Sequence, residues 1–289
     1  MKHTHKTLLF KSLELLPNRL GFATYHWIQK VFDRSSLESK IKKSETTTNR
    51  LMEVCNQLHI DLRDKTVLEI GSGWYPIMPY FLVFRCKVKK VFTFDINKHY
   101  QKKAIALFNT TFSKMYDYRI KEEDGNAFHL PAEVVYSPLQ DVTQIPLPKA
   151  DIIFSRYVLS HASEEAVYKM HQKFKNDFPK GTYIIHFISP SDLRQHGDKS
   201  ISMQDFLQYS KEEWSRIMTK FDSHNRLRLP QFIEMFESLE YEILFTSYDS
   251  VDPNSVNYKL FKELNLHDDY KKYTTEELTA GNILIVMKI

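Results

Sequence analysis

The chain has 289 residues, of which 42% are hydrophobic and 26% are charged. This balance excludes a disordered or collagen-like chain, because it supplies enough apolar surface to bury a core. A net charge of +4 is small for a dedicated nucleic-acid binder, and two cysteines, Cys55 and Cys86, cannot form a disulfide framework.

The start of the chain carries an apolar stretch that needs an explanation. Lys11, Glu14 and Pro17 interrupt this stretch, and no small-residue cleavage site follows it, so it does not fit a signal peptide. No run of 18 apolar residues occurs in the sequence, which is the length that a membrane-spanning helix needs. We therefore expect a soluble, cytoplasmic protein without stable membrane insertion.

The first 54 residues are predicted to form a helical extension. Leucine and aromatic residues in 7–33 recur at helical spacing on both sides of Pro17, which predicts two short amphipathic helices. The polar stretch 35–50 is expected to be an exposed helix or a connector. We expect the amino-terminal helices to pack over a ligand pocket and not to anchor the chain to a membrane, because Glu14 weakens the basic, apolar pattern of membrane-surface helices.

From residue 65 onwards, short β-branched runs alternate with stretches of helical spacing. Such alternation requires crossover connections and predicts an α/β fold with a mainly parallel sheet. The predicted strands are 65–70, 90–94, 134–136, 151–154, 182–188, 241–247 and 282–288, and the predicted helices between them include 77–84, 99–112 and 163–178.

The strongest motif is Val67-Leu-Glu-Ile-Gly-Ser-Gly73, in which a buried strand leads into a glycine turn. Only seven residues of the chain are glycine, so two within three positions indicate a turn whose backbone approaches a ligand. The helix that follows offers unpaired N–H groups to that ligand. Asp95 ends the next strand, where a carboxylate can accept both hydroxyls of a ribose. The pattern therefore predicts a nucleoside-binding site.

This acid–glycine turn resembles motif I of the class I S-adenosylmethionine-dependent methyltransferases, with Glu69 two residues ahead of Gly71. The likeness extends along the chain. Asp95 matches the ribose-binding acid of the family, and Gln140-Asp141-Val142 matches the acidic segment that packs on the adenine. The segment 151–158 matches motif IV, where the fourth strand ends at the active site.

The resemblance covers about residues 52–289 and implies a Rossmann-like α/β fold. In that fold a seven-stranded, mostly parallel sheet has an antiparallel last strand and helices on both faces. The resemblance also implies S-adenosylmethionine as the cofactor. The residues that it assigns to cofactor binding are Glu69, Gly71, Ser72, Gly73, Asp95, Ile96, Asp141, Val142 and Ser155.

A closer likeness concerns residues 73–79. They resemble the Gly-Trp-x-Pro-x-x-Pro variant of motif I in a bacterial-type group of methyltransferase-domain proteins. That group also has an Asn-Arg-Leu-Arg turn, here at 225–228. We therefore divide the chain into a helical extension (1–54) and a methyltransferase domain (55–289), with 190–235 as a helical cap insertion over the pocket.

Candidate catalytic residues follow the fourth and fifth predicted strands, at the edge where such sheets bind ligands. They are His161 after the fourth strand, and Asp192 and His196 after the fifth. A histidine can take a proton from an acceptor hydroxyl near neutral pH, and Asp192 could orient the His196 ring. Arg156 and Arg226 are candidates for binding an anionic group of the substrate. For all five residues an ordinary surface role is the alternative.

Together these residues predict methyl transfer from S-adenosylmethionine to a small-molecule or glycan-type acceptor, with a hydroxyl as the expected acceptor group. Two alternatives stay open. One is an NAD(P)-dependent oxidoreductase, although Pro76 stands where a dinucleotide-binding turn needs a third glycine. The other is a methyltransferase-like binding protein without activity.

Other ligand classes lack a sequence motif. No His/Cys spacing typical of a metal site occurs. Lys40, Lys42 and Lys43 lie between Glu38 and Glu45, which indicates a solvated face and not a nucleic-acid patch. We expect no nucleic-acid partner, and the oligomeric state stays open.

Overall fold

The computed structural model describes residues 3–17, 20–21, 24–25, 28, 35–120 and 128–289. A seven-stranded sheet lies at its centre. The strands are β1 (Thr66–Ile70), β2 (Lys90–Asp95), β3 (Val134–Pro138), β4 (Ile152–Arg156), β5 (Tyr183–Ile188), β6 (Glu242–Asp249) and β7 (Gly281–Lys288).

The strand order is β3-β2-β1-β4-β5-β7-β6. The first five strands pair in parallel, and β7 runs antiparallel to both β5 and β6. All seven predicted strands are confirmed, as is the antiparallel last strand. Since the chain crosses from β3 over to β4, the order reverses between β1 and β4, and parallel sheets bind ligands at such a switch point.

Helices flank the sheet. Within the described residues the α-helices are α1 (His3–Glu14), α2 (Leu37–Gln57), α3 (Ile77–Tyr80), α4 (Lys102–Tyr116), α5 (Glu164–Asp177), α6 (Arg194–Gly197), α7 (Lys211–Ile217), α8 (Leu229–Ser238), α9 (Val256–Lys262) and α10 (Thr275–Thr279). A π-helical turn, Phe81–Arg85, continues α3.

Both faces of the sheet are covered, as predicted. On one face α2, α3 and α4 bury Leu51, Tyr80 and Phe108 against it. On the other face α5 and α8 bury Phe174 and Phe236. The buried apolar residues of the longer helices recur at helical spacing, so each of these helices presents an apolar stripe to the sheet.

The prediction that residues 35–50 form an exposed helix or a connector is wrong about the exposure of this segment. They belong to α2, which continues past the expected domain boundary at residue 54 and buries Ile41, Ser44 and Thr48. The buried hydroxyls are satisfied within the helix, since Thr48 Oγ1 donates to the carbonyl of Ser44 at 2.9 Å. A polar segment can therefore pack on the core.

The chain between β5 and α8, which we call the insertion, shares a small core with the chain between β6 and β7, in which Phe206 and Trp214 pack with Phe261 and Leu278. Residue 235, the expected end of the insertion, lies within α8, whose Phe232 and Phe236 pack on the sheet. The bounds of the insertion stay a prediction.

The first predicted amphipathic helix is confirmed as α1. It packs on the insertion, where Phe10 and Leu13 cluster with Phe221 and where Lys6 Nζ lies 2.7 Å from Asp222 Oδ2. The second predicted helix falls largely outside the described residues. Among the helices that are described, none has the length and apolar character to cross a bilayer.

Candidate functional site

A pocket of about 540 Å³ lies at the carboxyl end of β1, at the switch point of the sheet. Its floor is formed by Glu69 and the glycine turn. The other lining residues come from α2, from the loop after the turn, from the start of α4 and from the end of β4. The pocket is therefore where the sequence motif predicts a ligand.

The two glycines of the turn are needed for different reasons. Gly71 has a φ of +82°, and a Cβ atom there would lie 2.2 Å from Cγ2 of Val158. Gly73 has a φ of +60°, but its Cβ would meet nothing within 4 Å. Glycine is thus favoured at position 71 by both packing and backbone conformation. At position 73 it is favoured by backbone conformation alone.

Glu69 is a buried carboxyl group without a complete set of partners. Its Oε2 atom has no hydrogen-bond partner in the described part of the chain. Burial raises the pKa of Glu69 to about 8. A buried polar oxygen without a partner is costly, so this position favours a ligand that brings a hydrogen-bond donor or a positive charge.

Asp95 lies at the end of β2, beside the turn. Its carboxylate accepts hydrogen bonds from the Asn97 amide at 2.8 Å and from the Ser72 hydroxyl at 3.3 Å. His99 Nε2 lies 3.6 Å from Asp95 Oδ1, and the His99 ring packs 5.1 Å from that of Trp74. Burial lowers the pKa of His99, and the Asp95 carboxylate opposes this effect. The rim of the pocket is thus polar on this side and carries a flat aromatic surface.

The other residues predicted on the adenine side lie near Asp95 but do not line the pocket. Ile96 is exposed, and Asp141 is exposed and closes a turn by accepting from the Thr143 amide at 2.9 Å. Val142 is buried in the core of the opposite face. The Gln140 amide donates to the carbonyl of Asp95 at 3.0 Å, which brings this segment to the end of β2.

Ser155 was predicted to contact the cofactor, but the structure places it on the other face of the sheet. It pairs in register with Ile70, whereas Glu69 pairs with Phe154. The Ser155 hydroxyl lies 2.7 Å from His186 Nδ1, and His186 Nε2 lies 3.0 Å from His171 Nε2. All three residues are fully buried. Ser155 therefore belongs to a buried polar chain behind the pocket.

Arg156 follows Ser155 and faces the pocket. Its Nε donates to Thr47 Oγ1 of α2 at 3.1 Å, and its guanidinium carbon lies 4.5 Å from the ring centre of Tyr157. Arg156 therefore lines the pocket, and its role in binding substrate stays a prediction.

No protein-family model and no curated protein matches the chain. Solved structures do match it. The structure of magnesium protoporphyrin IX methyltransferase from Synechocystis PCC 6803 with bound SAH has a TM-score of 0.50 and 12% identity, covering 92% of this chain and 94% of that chain. A putative sarcosine dimethylglycine methyltransferase from Galdieria sulphuraria has a TM-score of 0.45 and 13% identity, covering 96% and 89%.

The chain has the Rossmann-like methyltransferase fold. Within this fold the predicted catalytic residues do not meet at the pocket. Asp192 is buried and binds Arg194, whose Nη2 lies 2.6 Å from Asp192 Oδ2 and 2.8 Å from Asp205 Oδ2. Asp192 precedes α6, so the helical i,i+4 relation to His196 does not hold, and the nearer guanidinium binds its carboxylate.

Neither predicted histidine lines the pocket. His196 is exposed on α6. His161 is also exposed, and its Nδ1 lies 3.3 Å from the carbonyl oxygen of Ser223. Both residues follow strands at the ligand-binding edge, but the loops carry them away from the pocket and towards the insertion.

Arg226 was predicted to bind substrate, but its guanidinium is used within the insertion. It is buried and donates to the carbonyl oxygens of Phe206 at 2.9 Å, Tyr209 at 2.6 Å and Ser210 at 3.3 Å. These bonds connect three backbone positions of the insertion, so we assign Arg226 a structural role.

Sequence reasoning missed the contribution of α2 to the pocket. Lys40 and Lys43 line it, and Lys40 Nζ lies 5.5 Å from the ring centre of Tyr75. The mixed charges around these lysines gave no signal of a site. Trp74 and Tyr75 follow Gly73 directly, so their position after the turn could have identified them as lining residues.

Proposed function

We propose that the chain binds S-adenosylmethionine in this pocket and transfers its methyl group to a small-molecule or glycan-type acceptor. The observation that carries the proposal is that the positive-φ glycine turn, the unpartnered oxygen of Glu69 and the carboxylate of Asp95 lie together at the switch point of the sheet. The structural neighbour with a TM-score of 0.50 is a methyltransferase that holds SAH.

The pocket residues fit the parts of this cofactor. Asp95, which lies beside the turn, would accept the ribose hydroxyls, with the exposed Ile96 and Asp141 towards the adenine. The backbone of the turn and the Glu69 carboxyl would meet the amino-acid part, where an ammonium group supplies the donor that Glu69 Oε2 lacks. Trp74 offers an apolar wall at the rim.

When bound, S-adenosylmethionine supplies an electrophilic methyl carbon, which the acceptor's lone pair attacks while the carbon–sulfur bond breaks towards sulfur. The chain's own part is then to align the acceptor, since orientation provides most of the acceleration for such a good electrophile. A hydroxyl acceptor also loses a proton. His99 is the histidine among the described lining residues of the pocket, and it could take that proton.

Calorimetric titration of the full chain with S-adenosylmethionine, SAH and NADH tests the proposal. We expect saturable binding of the first two and none of NADH. The isosteric variant Glu69→Gln should weaken both about tenfold, because an amide cannot ionise to pair with the ammonium group. Binding of NADH in place of S-adenosylmethionine would support the oxidoreductase instead. Transfer of a labelled methyl group to a metabolite pool would separate an enzyme from a binding protein without activity.

A further inference from the structure

The pocket contains more positive than negative charge. Lys40 and Lys43 of α2 and Arg156 of β4 line it, and Glu69 is the acidic residue among its described lining residues. Within the described chain, neither Lys43 nor Arg156 forms a salt bridge. Two cations therefore face the pocket, and Glu69, the one carboxyl among its described lining residues, can offset at most one of them.

Contacts of α2 with the core hold these cations in place. Glu45 of α2 accepts hydrogen bonds from Arg85 Nη1 at 3.1 Å and from the Tyr116 hydroxyl at 2.8 Å. The bond from Arg156 Nε to Thr47 joins α2 to β4 across the pocket. Lys43 lies one residue before the buried Ser44, so its backbone is fixed beside the pocket. The Arg156 guanidinium is thus held by a side-chain bond, and Lys43 projects from a fixed backbone position beside it.

The positive charge of this part of the pocket does not suit the cofactor by itself, because the cofactor is also positive. S-adenosylmethionine carries a sulfonium, an ammonium and a carboxylate group, so its net charge is positive. Bringing it into a pocket that is already positive is opposed by Coulomb repulsion, unless a negative ligand accompanies it. The cofactor's single carboxylate can pair with either Lys43 or Arg156, which leaves the other cation for a second ligand.

We propose that the acceptor is an anionic small molecule whose carboxylate or phosphate group binds between Lys43 and Arg156. The inference rests on the proposed function and names the substrate class for the same pocket. A guanidinium and an ammonium group are the side chains that recognise such anions. Tyr157, stacked on Arg156, would cover the body of the acceptor beside the charged group.

The proposal has a thermodynamic consequence. The negative acceptor and the positive cofactor bind close together, so each should raise the affinity of the other by the same factor. SAH lacks the sulfonium charge, so the acceptor should raise its affinity less. The effect should also fall at high salt, because ions screen partly exposed charges.

Calorimetry with benzoate, phenyl phosphate and neutral benzamide as acceptor probes tests this inference. We expect benzoate or phenyl phosphate to tighten S-adenosylmethionine binding at least threefold at low salt, and benzamide to leave it unchanged. Lys43→Gln and Arg156→Gln should abolish the effect. Lys42→Gln is the matched control, because Lys42 is exposed on the same helix and does not line the pocket. The stronger of the two anions identifies the acid group.

An equal effect of benzamide and benzoate would overturn the proposal, as would Lys43→Gln behaving like Lys42→Gln. These failures differ from failure of the proposed function, in which the wild-type chain would bind neither S-adenosylmethionine nor SAH at all.

Discussion

The pocket and the insertion between β5 and α8 both carry charged residues near the ligand-binding edge of the sheet, but they use them differently. In the insertion, Arg194 pairs with Asp192 and Asp205 in a buried network. In the pocket, Glu69 Oε2 lacks a hydrogen-bond partner and Lys43 has no salt bridge among the described residues. A charged residue at this edge therefore does not identify a ligand site by itself. A ligand site is distinguished by charged groups that lack a hydrogen-bond or salt-bridge partner within the described chain.

The largest effect is expected for the buried ion pairs of Arg194 with Asp192 and Asp205. Arg194→Met leaves two buried carboxylates without their cationic partner, so the free energy of unfolding should fall by about 3–5 kcal/mol. The affinity of the folded chain for S-adenosylmethionine should stay within twofold. Urea denaturation measures the first and calorimetry the second. Arg63→Met, at an exposed arginine, is the control and should change stability by less than about 0.5 kcal/mol.

Gly71→Ala should come next, with a loss of about 2–4 kcal/mol, because it combines a positive φ with a clash against Val158. Gly73→Ala should cost only about 1–2 kcal/mol, since its Cβ meets no atom. Thermal unfolding of both variants measures this difference. Equal losses would contradict the distinction between the two glycines.

Acid should destabilise the chain through the histidines behind the pocket. Burial lowers the pKa of His171 to about 4, and it lowers that of His186 well below the ordinary value of 6.5. The unfolded chain therefore takes up protons first as the pH falls. The stabilisation is complete above pH 6.5 and decreases through the window from 6.5 to 4.

Between pH 7.5 and pH 5 the free energy of unfolding should fall by about 2 kcal/mol for His171 alone. Urea titrations at the two pH values measure this. His5→Ala, at an exposed histidine, should show the same fall. Equal stability of the wild type at both pH values would mean that the buried histidines are not held neutral.

Asp95→Asn should weaken S-adenosylmethionine binding about tenfold, or about 1.4 kcal/mol. Asparagine keeps an oxygen for the Asn97 amide but removes the charge that would bind the ribose hydroxyls. Asp64→Asn is the matched control, because Asp64 is exposed and its φ of +58° suits asparagine. Equal affinities for the two variants would remove Asp95 from the site.

The smallest effects are expected at the predicted catalytic histidines. Since neither His196 nor His161 lines the pocket, substitution of each by alanine should change kcat by less than twofold. Steady-state kinetics with an identified acceptor measures this. A hundredfold loss in either variant would restore the sequence-based role of a general base.

The seven strands, the glycine turn and the position of Asp95 could be predicted from the amino-acid sequence alone. These features depend on neighbouring residues: β-branched runs favour strands, and a positive φ favours glycine. The resemblance to methyltransferases followed from the same short motif. The predicted sheet order and antiparallel last strand agree with the structure.

The predicted end of β4 at residue 154 was too early, and this had a consequence for the site. The strand continues to Arg156, so its side chains keep alternating, and Ser155 points away from Glu69 while Arg156 points towards it. Because the predicted strand ended two residues too early, the ligand contact was assigned to Ser155, whereas Arg156 is the residue on the pocket side.

Which charged residues can meet a ligand depends on the tertiary structure. The bond from Arg156 to Thr47 and the position of Lys43 over the pocket join segments that are about a hundred residues apart. The pairing of Asp192 with Arg194, and not with His196, depends on where α6 begins. Local propensity does not contain this information, because a charge is satisfied by whichever group the folded chain brings within hydrogen-bond distance.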